Sequence, residues 1–140
     1  MPRSDNFRKQ HAEILSSARE INALLSDELS AADAAAIRPL LSKLAGLITL
    51  HLAMEERSVY PALAGHPDAS VRALGKRYSD EMAGIAAVFG DYMKNWQTTS
   101  QMRADPAGFS AASKALFNAL SKRIHFEHKE LYPPFDQVDA

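Results

Sequence analysis

Four stretches of the chain carry apolar residues at three- and four-residue steps, with polar residues filling the positions between them. In the first, Phe7, His11, Ile14, Ala18, Ile21 and Leu25 share one face, the period of an amphipathic α-helix. Ser4 or Asp5 stands where its cap belongs. The second begins near Ala34 and runs through Leu40, Leu44, Leu47, Ile48, His51 and Glu55 to Tyr60-Pro61. Pro39 lies close to its first turn or marks a kink, and Ala64-Gly65-His66-Pro67-Asp68 stops it. The third stripe reads Val71, Tyr78, Met82, Ile85, Phe89, Tyr92, Trp96. The last reads Phe109, Ala112, Leu116, Leu120, Arg123, Glu127 and ends at Tyr132-Pro133-Pro134. Asp27 to Ala32 is a short polar break. Gln97 to Gly108 is the longest connection, polar and broken by Asp105-Pro106, and is expected to be a mobile loop. No stretch alternates in the manner of a strand. The pattern predicts an all-α, antiparallel up-down-up-down four-helix bundle.

Some residues on these inner faces are not apolar. His51 and Glu55 sit one turn apart on the second stripe, and His11 sits on the first as squarely as its leucines and isoleucines do. A buried carboxylate is costly unless a cation or a set of donors satisfies it. A histidine one turn before a glutamate can offer a nitrogen and an oxygen to one metal ion. The spacing also occurs in solvated i,i+4 pairs, so the apolar setting is what makes this pair informative. There is a weak internal repeat as well. His51 to Pro61 reads HLAMEERSVYP and Arg123 to Pro133 reads RIHFEHKELYP, so Glu55, Tyr60 and Pro61 correspond to Glu127, Tyr132 and Pro133. The second and fourth helices are therefore expected to be equivalent, related by a pseudo-twofold.

These residues resemble the hemerythrin-like (HHE cation-binding) domain family over nearly the whole chain. The likeness rests on the early histidine of the first helix, His-x3-Glu-Glu-x3-Tyr-Pro closing the second, and Glu-x4-Tyr-Pro closing the fourth. It implies a four-helix bundle around a non-haem di-iron centre. The ligands so implied are His11, His51, Glu55 and Glu127. Two positions depart from the family pattern: Met82 stands where the third helix should supply a histidine, and Arg123 stands four residues before Glu127. Both departures fall on the ligands of one iron, so the resemblance implies one intact half-site and one reduced one. Arginine keeps its proton and offers no lone pair to a metal, but its fork of donors matches carboxylates. Arg123 is expected to point inward and pair with Glu55 and Glu127, or with Glu81.

The expected cofactor is therefore iron, one ion rather than two, in a donor set that Mn(II) or Zn(II) also accepts. Glu81 is a candidate replacement ligand, weighed against a solvated residue beside Lys76 and Arg77. Met82 reads as core filler before a thioether ligand, and His66, His125 and His128 as surface or boundary histidines. The family's roles include binding or sensing O2 or NO, handling peroxide and storing iron, so a small diatomic ligand or peroxide is the expected partner. The alternative is a metal-free bundle acting as a regulatory or interaction module, with Arg123 neutralising the carboxylates.

Composition narrows the rest. At 140 residues the chain fits one domain with a substantial core. A net charge of −1 with acids and bases interspersed suggests no nucleic-acid surface. The absence of cysteine excludes disulfides, thiolate metal sites and a cysteine nucleophile. There is no glycine-rich phosphate loop and no nucleophile elbow. Met1-Pro2-Arg3-Ser4-Asp5 does not open a signal peptide, and no apolar run is expected to span a bilayer. Cytoplasmic location is the default expectation.

Overall fold

The computed structural model describes residues 3–138; Met1 and Pro2, part of the polar start read above, lie outside the described residues. Every regular element among those residues is helical. They are α1 (Asp5–Asn22), α2 (Ala31–Ala64), α3 (Ala69–Asn95), α4 (Thr99–Ala104), α5 (Pro106–Phe126), a π-helical turn (Glu127–Leu131) and α6 (Tyr132–Gln137). The protein is an all-α bundle, as its periodicity predicts. Phe7 near the start of α1 clusters with Val59, Tyr60 and Leu63 near the end of α2. Ile21 at the other end of α1 clusters with Ala34 and Ile37.

Several boundaries differ from expectation, each for a local reason. Ser30, whose side chain accepts from the Asp33 amide, starts α2 earlier than Ala34 and leaves Pro39 inside the helix. Ser4 stands at the α1 N-cap without a capping hydrogen bond. Its amide and hydroxyl instead donate to the two carboxylate oxygens of Asp136, at 2.7 and 2.8 Å. The segment after Trp96 is not an irregular loop. Thr98 and Gln101 form a capping box that opens α4, and Met102 is fully buried against the core. Asp105 then caps α5, with Pro106 in its first turn. Nor does the chain stop being helical at Pro133 and Pro134, which fall in the first turn of α6. The wide π turn lies immediately before them. A proline ring crowds the carbonyl four residues back, and loosening the preceding turn relieves that crowding.

One exclusion also needs correcting. α2, 34 residues long and containing an 18-residue stretch of mean hydropathy 1.2, is by length and composition alone long and apolar enough to cross a membrane. Here it runs through the bundle, burying Ile37, Leu41, Leu44 and Ile48 together with His51 and Glu55.

The core comes in two parts. The larger contains Ile14, Leu44, Ile48, Phe89, Leu120 and Ile124; the smaller contains Phe7, Val59, Tyr78, Leu131, Tyr132 and Phe135. Between them, in sequence as in space, fall His11, His51, Glu55 and Glu127, all buried. Three helical segments thus pass from one apolar cluster to the other through a polar layer. α3 crosses the same level with Met82 and Ile85, both half-buried.

Candidate metal centre

The polar layer is compact. His11 from α1, His51 and Glu55 from α2, and Glu127 at the start of the π turn each present one donor atom. All four lie within 4.8 Å of one another. The Nε2 atoms of His11 and His51 are 2.7 Å apart. His11 Nε2 is 2.9 Å from Glu127 Oε1, and His51 Nε2 is 3.9 Å from the same oxygen and in direct contact with Glu55 Oε1. None of the four side chains is more than 4% exposed.

The far sides of both imidazoles are held. The carbonyl oxygen of the Gln10 side chain lies 2.7 Å from His51 Nδ1. An amide oxygen can only accept, so Nδ1 carries the proton and Nε2 faces the cluster. His11 Nδ1 lies 2.8 Å from His128 Nε2. Burial and the neighbouring His11 push the pKa of His128 down to about 4, leaving it neutral and able to accept. The Tyr132 hydroxyl closes the floor, 3.2 Å from His11 Nε2 and 3.5 Å from Glu127 Oε1.

Protons are distributed unevenly over the cluster. Burial disfavours a charged His51, but the carboxylates of Glu127 and Glu55 outweigh it and raise the group to about 9. His11 goes the other way, lowered first by burial, with Glu127 only partly offsetting it. Burial, with repulsion from Glu127, lifts Glu55 to about 7 against the pull of His51. Glu127 falls well below the carboxylate range: contacts with His11 and His51 overcome its burial. The cluster thus favours a protonated His51 beside an ionised Glu127.

Glu55 tests whether that proton suffices. Both of its oxygens are buried without a hydrogen-bond partner, because His51 touches Oε1 outside hydrogen-bond geometry. A fully buried carboxylate lacking donors costs several kcal/mol. Two imidazole nitrogens and two carboxylates converging on one point are, however, a donor set for a divalent cation. The residues fit a metal ion better than they fit one another.

A profile of the hemerythrin HHE cation binding domain matches residues 3–135. The chain belongs to the hemerythrin HHE family. No curated protein and no solved structure matches it.

Within this hemerythrin domain Arg123 occupies the space beside the four donors. Its side chain is 11% exposed. Nε donates to Glu127 Oε2 at 3.2 Å and Nη1 to Glu81 Oε2 at 3.2 Å. Nη2 donates to the Tyr60 hydroxyl at 3.2 Å and to the Tyr78 carbonyl at 2.9 Å. The guanidinium also lies over the Tyr78 ring, 4.4 Å from its centroid. The expected pairing with Glu127 and Glu81 is present; the pairing with Glu55 is not, since both Glu55 oxygens lack a hydrogen bond. Glu81 is 53% exposed, held by Arg77 and Arg123, and is not among the four converging donors. Met82 lines the space beside them. His66 accepts from the Asp68 amide in its turn, and His125 is exposed.

His128 is the residue the sequence misplaces. A regular α-helix would carry it off the Glu127 face. The π turn widens the helix at this point, and His128 instead stacks on His11 with ring centroids 4.9 Å apart. The signal that can find it is the Pro133-Pro134 pair, which favours an irregular turn just before it.

Proposed function

We propose that this hemerythrin domain binds one metal ion, iron in the first instance, through Nε2 of His11, Nε2 of His51 and the carboxylates of Glu55 and Glu127. The observation that carries the reading is the pair of orphaned Glu55 oxygens facing two imidazole nitrogens whose opposite sides are already engaged. An iron ion in this set supplies affinity for dioxygen, nitric oxide or peroxide and the one-electron chemistry that goes with them. The protein's own part is to hold the donors in a dry layer between two apolar clusters. Gln10 and His128 fix the ring orientations, and Tyr132 stands against the floor.

Support for one ion rather than two comes from Arg123. A second cation beside Met82 would meet a guanidinium already committed to Glu127, Glu81 and Tyr60. Two unit charges at about 4 Å repel by roughly 4 kcal/mol at an effective dielectric of about 20, and a dication doubles that. Metal analysis after anaerobic loading with Fe(II), Mn(II) or Zn(II) tests the stoichiometry. One ion per chain is expected, falling to background in His51→Ala and rising toward two in the Arg123→His, Met82→His double variant. Two ions per wild-type chain would refute the half-site.

The Arg123–Glu127 ion pair also supports a second reading, a metal-free regulatory bundle whose carboxylate is neutralised internally. Failure of every metal to bind under those conditions would favour it.

A further inference from the structure

Beside the four donors lies a small cavity of about 30 Å³. One water-sized sphere needs about 10–15 Å³ by this measure, so the space holds a molecule of two heavy atoms and little more. Apart from the donors, Arg123 and the Met82 thioether its wall is hydrocarbon, chiefly Ile14, Ile48, Phe89 and Ile124, closed by Ile85 of α3 and Leu120 of α5. Those last two residues have a second exposure. They also form the floor of a cleft of about 370 Å³ that opens to solvent between α3 and α5.

The cleft exists because its lips are small. Gly84 and Ala119 face each other across it, both exposed, and Val88 beside them is 62% exposed. A Cβ built on Gly84 meets nothing within 4 Å. Glu81 is the one charged residue of the lining, and Arg123 holds it. A second cleft, about 210 Å³ between α2 and α3, also meets the cavity wall, at Leu52 and Met82. Its rim, though, carries Glu56, Tyr60 and Ser79.

We propose that the α3–α5 cleft is the entrance to the buried cluster for uncharged apolar molecules of diatomic size, with Ile85 and Leu120 as its gate. The cleft selects by polarity: an ion loses its hydration there with only the Glu81 carboxylate, already held by Arg123, to replace it, whereas an apolar molecule leaves water favourably. The cavity selects by size. Passage requires only that Ile85, half-buried, and Leu120, 8% exposed, change rotamer, a fast motion for side chains near a surface. What the route serves rests on the metal reading above; the route itself is a property of the walls.

Xenon tests it on the metal-free full-length chain, so that the route and the metal stand or fall separately. In methyl NMR spectra under xenon, the signals of Ile14, Ile48 and Ile124 should shift with gas pressure, together with those of Ile85 and Leu120. Gly84→Phe places a ring in open cleft space and should slow xenon exchange at Ile14 and Ile48 at least tenfold. Ala119→Phe, on the opposite lip, should do the same should the first variant fold poorly. Ala83→Phe, which fills the polar cleft, should leave exchange unchanged. Shifts confined to Val88 and Leu116 would make the cleft a dead end and overturn the proposal. So would cavity signals that ignore xenon, or exchange slowed by Ala83→Phe and not by Gly84→Phe. Xenon entry in a protein that binds no metal would sink the metal reading alone.

Discussion

The raised pKa of His51 makes a protonated imidazole part of what holds the metal-free layer together. A group whose folded pKa lies above its unfolded value contributes stability that is complete below the unfolded value, about 6.5, and is lost as pH rises through the folded one. For His51 that window runs up to about 9. Chelator-treated protein should therefore lose thermal stability between about pH 6.5 and 9. Metal binding must displace the same proton, so loaded protein should gain stability over that interval, and the two melting curves should diverge. Calorimetric scans with and without Zn(II) across the range check this; parallel curves would mean that His51 is not the group displaced. At this scale much of the site can be read from residue types and spacing. His11, His51, Glu55 and Glu127 converge because each takes a core position on its stripe. Glu81 and His128 could not be placed that way. The position of Glu81 depends on which way a long exposed side chain turns, and that of His128 on a helix that departs from its own period.

Among the elements, two glycines on α3 separate what close packing needs from what it leaves open. A Cβ on Gly75 would sit 2.8 Å from the Cβ of Leu63 on α2, whereas one on Gly84 meets nothing. Gly75→Ala should push α3 off α2 and cost about 1–3 kcal/mol, as overpacking does. Gly84→Ala should stabilise by up to about 1 kcal/mol through helix propensity alone. Urea unfolding of the two variants side by side measures both signs. The long helices are legible in the sequence because their stripes repeat over many turns. α4 is not: six residues give too few turns for a period to emerge. Asp105-Pro106 looks like a break yet acts as the start of α5, because aspartate caps and proline suits a first helical turn.

For the molecule as a whole, the segment after Trp96 behaves as a stopper for the larger apolar cluster. Met102 is fully buried there, in contact with residues of that cluster. Met102→Ala should cost about 2–5 kcal/mol, the range for deleting a buried side chain of this size. It should do so without changing metal stoichiometry, since the site lies at the junction of the two clusters. Equilibrium denaturation paired with metal analysis separates the two effects. A loss below about 0.5 kcal/mol, the range of an unremarkable surface change, would return the segment to the status of a loop.

The clamp between Ser4 and Asp136 brings the beginning and the end of the fold to one place. A few added residues could join them, and the chain could be reopened in the exposed turn around Pro67. The donors would then be met in the order Glu127, His11, His51, Glu55, with the same neighbours in space. Such a circular permutant would show that what this bundle encodes is a ring of inward-facing positions, for which the order of synthesis is incidental.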